Sequence, residues 1–137
     1  MNQTLIKNVN IWTMDEKNTR FYGWVLLENG KIASMGEGEP PAMPVQIDGD
    51  VVYGEGGVLT PGLIDIHSHI GLYEDGLGFE GADGNEDTDP ATPHLRALDG
   101  VNPFDRSFRE ALEAGVTAAA VSPGSANPIG GQIALLK

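Results

Sequence analysis

The sequence predicts a mixed α and β chain in two parts, a small β-sandwich-like unit over residues 1–61 and a strand, loop, helix and strand run over residues 62–137. Three observations predict it. Before Pro61 the apolar residues fall in short runs rich in β-branched and aromatic side chains, broken by turn residues and without helical periodicity. Between Pro103 and Gly115 they recur instead at helical spacing. On either side of that segment lie two apolar runs, LIDIHSH from Leu63 and VTAAAV from Val116, which read as buried parallel strands.

In the first part, residues 5–14 and 21–28 read as strands, and Asn29-Gly30 follows the second of them. Asn-Gly between apolar runs is a strong hairpin signal, because both residues tolerate the positive φ of a tight primed turn. The return strand spans residues 31–35. Residues 36–44, with three prolines and two glycines, form a loop, and residues 45–48 and 51–53 are two further short strands around Gly49. Trp12, Phe21, Tyr22, Trp24 and Tyr53 are read as core and interface residues rather than as a ligand cage.

The stretch GVLTPGLIDIHSHIG, residues 57–71, organises the second part. Residues two apart in a strand share a face, so Asp65, His67 and His69 are expected to project together. Taken alone, a His-x-His triplet is more often a pair of core or surface histidines than a metal site. The same geometry offers two nitrogen ligands to one ion, and Asp65 is close enough in sequence to fix a histidine tautomer, to reach the metal itself or to meet a neighbouring strand.

Residues 71–89 hold seven carboxylates, five glycines and no basic residue, which reads as a long loop. Within it Asp83, Asn85, Asp87 and Asp89 echo a calcium loop, but Thr88 stands where the EF-hand needs glycine and His94 where it needs glutamate. A solvated or substrate-facing loop is the expectation. His94 and Arg96 have two readings, substrate contact beside the histidines or charge pairing that ties the acidic loop down. Asn102-Pro103 opens the helix, Asp105 or the Ser107 and Glu110 pair offers its cap, and Phe104, Phe108, Ala111 and Leu112 form its apolar stripe. Gly115 ends it, and Val116 to Val121 is the next strand. Ser122-Pro123-Gly124-Ser125 lacks the glycines of a nucleophile elbow.

The formal charge of -12, from 20 acidic and 8 basic residues, argues against nucleic-acid and anionic-membrane partners, which need clustered Lys and Arg. With no cysteine there is neither a disulfide nor a thiolate metal site. The absence of a recognisable targeting stretch or long apolar run makes a cytoplasmic location the expectation.

The string PGLIDIHSHIG resembles the first barrel strand of the amidohydrolase superfamily, whose metal-dependent members open a (β/α)8 barrel with Pro-Gly, two hydrophobic residues, Asp-x-His-x-His. Ala114-Gly115-Val116-Thr117, its strand and PGSANPIGGQ are similar to members grouped around imidazolonepropionase. The resemblance implies that residues 1–61 are an N-terminal composite β domain. Residues 62–137 would then be the first one or two β/α units of a truncated barrel, since the fold takes about 250 residues. It places His67 and His69 on two metal-ligand positions, with Asp65 behind them and zinc as the expected ion, iron, manganese or nickel being open. The remaining ligands and the general base, normally an aspartate, come from later strands.

The implied activity is hydrolysis of a carbon–nitrogen bond, an amide or cyclic amide, in a small-molecule substrate, with metal-activated water as nucleophile in the complete enzyme. The 137-residue chain alone is expected to be inactive. Unpaired strand edges predict a homo-oligomer or a domain-swapped assembly of it. The alternative is a stand-alone, non-catalytic β-rich metal-binding or assembly module.

Overall fold

The computed structural model describes residues 3–41, 49–74 and 76–137, and its contacts separate two units, Met1–Pro61 and Gly62–Lys137. The expected strand at residues 45–48 and the end of the loop before it lie outside the described residues, as does Asp75 of the acidic loop.

In the first unit β1 (Gln3–Trp12) is central. It pairs antiparallel with β2 (Arg20–Glu28), and β2 pairs antiparallel with β3 (Lys31–Glu37). On its other edge β1 takes β4 (Gly49–Tyr53) and then β5 (Val58–Leu59), both parallel. The β2–β3 hairpin turns at Asn29 and Gly30 with φ of 51° and 75°, the backbone signs of a primed turn.

Among the described residues these strands make one five-stranded sheet. At Asn8 φ is 58° and the register of β1 slips between Lys7 and Val9. A one-residue slip moves later side chains to the other face. Leu5 therefore packs with Trp24 and Leu26, while Val9 and Ile11 pack with Val25. Each face of one sheet thus carries its own small core.

Of the aromatics, Trp24 is buried over Gly36 and Phe21 packs against the second cluster. Trp12 lies under Arg20, with the guanidinium carbon 4.2 Å from the ring centre, and exposed Tyr53 lies under the Lys7 ammonium at 5.0 Å. Tyr22 is exposed.

The second unit is a three-stranded sheet in the order β6, β7, β8. β6 (Leu63–Ser68) and β7 (Val116–Val121) run parallel, and β8 (Ala134–Leu136) is antiparallel to β7. Between β6 and β7 come a 3₁₀ turn (Gly78–Gly81), a single helical turn α1 (Ala97–Gly100) and the helix α2 (Arg106–Glu113). Asp105 is the N-cap of α2, its carboxylate accepting from the Ser107 amide at 2.8 Å, and Gly115 leaves the helix with φ 88°. Phe104 lies before the helix and is exposed, so the apolar stripe reduces to Phe108, Ala111 and Leu112. These three line an apolar cavity of about 500 Å³ against β6, β7 and β8.

The core of this unit is Leu72, Ala97 and Val121, joined by Ile70, Val101, Ala119, Ala134 and Leu136. β6 itself is not the buried strand its sequence suggests. It is the edge of the sheet, and Leu63, Ile64 and Ile66 are all exposed, Ile66 at 82%. Its apolar residues have no partner strand on one side among the described residues. No helix among those residues is long and apolar enough to cross a membrane.

Candidate metal centre

The C-terminal end of β6 meets the C-terminal end of β7, where the parallel ladder sets Ser68 opposite Val121 and continues with the Ser122 amide donating to the Ser68 carbonyl at 2.9 Å. That register brings the next carbonyl, that of Ser122, to His69. The ring Nδ1 of His69 lies 2.8 Å from this oxygen, with the Ser122 hydroxyl at 3.5 Å. A carbonyl oxygen can only accept, so the neutral ring carries its proton on Nδ1 and leaves Nε2 its lone pair.

His67 stands beside it. The two imidazole centres are 5.2 Å apart, with ring planes at 79°. Two imidazoles sharing one tetrahedral ion through bonds of about 2.1 Å have ring centres about 5 Å apart. The donor set therefore fits two of the nitrogen ligands of a single ion. Among the described residues no third histidine or carboxylate joins them in a group able to hold a metal ion.

Asp65 departs from its expected place. The register between β6 and β7 slips between Asp65 and Ser68, which breaks the simple alternation from which a shared face was inferred. Its carboxylate accepts from the backbone amide of His67 at 3.1 Å rather than meeting either ring. Asp65 also lines the apolar cavity, which neither histidine does. The atom that fixes the tautomer of His69 comes instead from the Ser122 backbone, and no side-chain pattern announces a backbone carbonyl.

Beyond His69 the chain turns at once. Leu72 donates to the His69 carbonyl at 2.9 Å, and Gly71, with φ 79°, packs under Phe108 and Val101, where no Cβ would fit. Tyr73 follows, its ring edge-on to His69 with centres 5.8 Å apart. The acidic loop then folds against residues 122–132. The Asn127 amide donates to the Glu86 and Asp89 carbonyls, both at 2.8 Å, and the Gln132 amide group donates to Pro93. Both residues lie in a stretch that offered no chemistry in the sequence, and both act as clamps between loops.

Glu86 accepts from the hydroxyl and amide of Thr88, which hold its carboxyl below the usual range, with a smaller contribution from His94. Asp87 and Asp89 do not gather with Asp83 into a group able to hold a metal ion, and Asp89 accepts from the Ala91 amide. Arg96 grips Asp99 through Nε and a terminal nitrogen at 2.8 and 2.6 Å, and this fork lowers the Asp99 pKa. His94 is exposed. The structure thus brings His67 and His69 together and gives Arg96 a partner within its own loop.

No family model matches the chain. Over 98% of its length it is 37% identical to the amidohydrolase tasK of Hapsidospora irregularis. A segment of 48 residues is 44% identical to the imidazolonepropionase of Streptococcus sanguinis. Among solved structures, an amidohydrolase from Thermotoga maritima superposes with a TM-score of 0.82 at 45% identity over 98% of the chain. The chain spans 15% of the first relative, 11% of the second and 33% of the solved chain. Sequence and fold alike therefore align this chain with amidohydrolases. What they match is the N-terminal portion of that superfamily.

Proposed function

We propose that the chain is the N-terminal part of a metal-dependent hydrolase that cleaves a carbon–nitrogen bond, an amide or cyclic amide, in a small-molecule substrate. In this reading residues 1–61 are the composite β domain and residues 62–137 begin a (β/α)8 barrel, which explains an edge strand with exposed apolar residues at β6. The observation that carries the proposal is the pairing of His67 and His69 at 5.2 Å, with Nδ1 of His69 committed to the Ser122 carbonyl. A ligating histidine characteristically donates its other nitrogen to such a partner.

His67 and His69 would hold the ion, zinc being the one proposed, and iron, manganese or nickel suiting the same donors. When bound, such an ion lowers the pKa of water to about 7 and polarises a carbonyl. This chain contributes the two imidazoles, the backbone carbonyl that sets one tautomer, and the loop whose Tyr73 packs against His69. Further ligands and the general base would come from other parts of the full-length protein. Arg96, already forked onto Asp99, is assigned to tying the loop rather than to gripping substrate, and exposed His94 is grouped with it.

The proposal is tested by assaying the full-length protein and the 137-residue chain side by side on a panel of cyclic amides and imidazolones. Turnover by the full-length protein alone is expected. Turnover by a verified 137-residue preparation would overturn the division of labour described here.

A further inference from the structure

We propose that Tyr73 is a positioning residue that locks the His69 imidazole onto the Ser122 carbonyl, an inference that rests on the metal reading above. His69 lies just beyond β6, and its ring is free to rotate unless something opposes it. Ser122 holds Nδ1 from one side. The Tyr73 ring meets it edge-on, with centres 5.8 Å apart and planes at 73°.

Tyr73 is in turn held from behind by two glycines. A Cβ at Gly84 would lie within the Tyr73 ring, and a Cβ at Gly124 would collide with the Asn85 amide and stand 2.8 Å from the Tyr73 hydroxyl. Neither glycine has a positive φ, so neither is there for a turn that other residues resist. What requires glycine is the space. The two positions are coupled by the Gly124 amide donating to the Gly84 carbonyl at 2.6 Å, and Tyr73 is anchored by its bridge to Ala82 and by the Asp83 amide donating to the Leu72 carbonyl at 2.9 Å. The acidic loop and the segment after β7 thus form a notch, Tyr73 fills it, and the filled notch faces His69.

The test reads the His69 ring directly. Imidazole 15N shifts of the protein, recorded above about pH 8 where a histidine is neutral, report the tautomer without any metal. The parent protein and Tyr73→Phe are expected to show one His69 tautomer, with Nδ1 protonated, because the ring is kept in both. Tyr73→Leu is expected to show averaging between the two tautomers, and zinc binding by the full-length protein is expected to weaken about tenfold, the low end of what losing an orienting partner costs. A single unchanged tautomer and unchanged zinc affinity in Tyr73→Leu would overturn the inference, as would a loss in Tyr73→Phe as large as that in Tyr73→Leu. Zinc affinity insensitive to His67→Ala and His69→Ala would instead remove the metal reading, whatever the tautomer data show.

Discussion

Val121→Ala is the substitution whose cost the structure defines most sharply. Val121 is fully buried at the end of β7, packed with Leu72 and Ala97, and it pairs with Ser68 one residue before the carbonyl that holds His69. Removing two methyl groups forfeits about 1.6 kcal/mol of transfer free energy at ~0.8 kcal/mol each. The space left, of order 50 Å³ if the site does not collapse, adds about 1 kcal/mol at ~24 cal/mol per Å³. The expected loss is about 2.5 kcal/mol, which for a chain of this size lowers the melting temperature by roughly 10 °C. Thermal or urea unfolding followed by circular dichroism measures it, with Leu135→Ala, the exposed residue of β8, as the control expected to cost less than about 0.5 kcal/mol. A Val121→Ala loss no larger than the control's would mean that the end of β7 is not packed as described, and the placement of the Ser122 carbonyl would fall with it.

Other outcomes follow from the same contacts. Asp105→Ala removes the side-chain acceptor at the N-terminus of α2 and is expected to cost about 1 kcal/mol by denaturant titration; an unchanged midpoint would refute the cap. The folded-state pKa values of Glu86 and Asp99 are depressed, so the stability they contribute is present above the unfolded carboxylate pKa of about 4 and is lost as pH falls through the folded values. Carboxyl chemical shifts should place Glu86 below its ordinary pKa, and Thr88→Ala should return it toward that value, whereas an identical titration in both would contradict the assignment. The open edge of β6 predicts that the 137-residue chain self-associates, and that Ile66→Lys shifts it toward monomer in light scattering. A parent chain that is monomeric at every concentration would remove that expectation.

What the sequence made legible was local. Asn29-Gly30 needs only its own backbone preferences to announce a hairpin, and VTAAAV between Gly115 and Ser122 announces a strand from its composition alone; both appear where expected. The single sheet of the first unit was not legible, because it depends on the parallel pairing of β4 and β5 with β1 and on the slip at Asn8. These are relations between distant segments, and the strand pattern is silent about them. The same limit governs the site. His67 and His69 were visible as a spacing, but the slip after Asp65 redirected the residue expected to serve them. Ser122 acts through its backbone, Tyr73 through the absence of two Cβ atoms at Gly84 and Gly124, and Asn127 through carbonyls forty residues away or nearly so. None of these is a property of a residue type at a position.

The most direct test of the account is the metal content of the full-length protein with and without its two histidines. Purified parent protein should carry zinc, or another of the divalent ions named above, and His67→Ala and His69→Ala should each lower the bound stoichiometry in elemental analysis while leaving the fold intact by circular dichroism. Unchanged stoichiometry in both variants would contradict the claim that the end of β6 supplies the first two ligands of a metal centre.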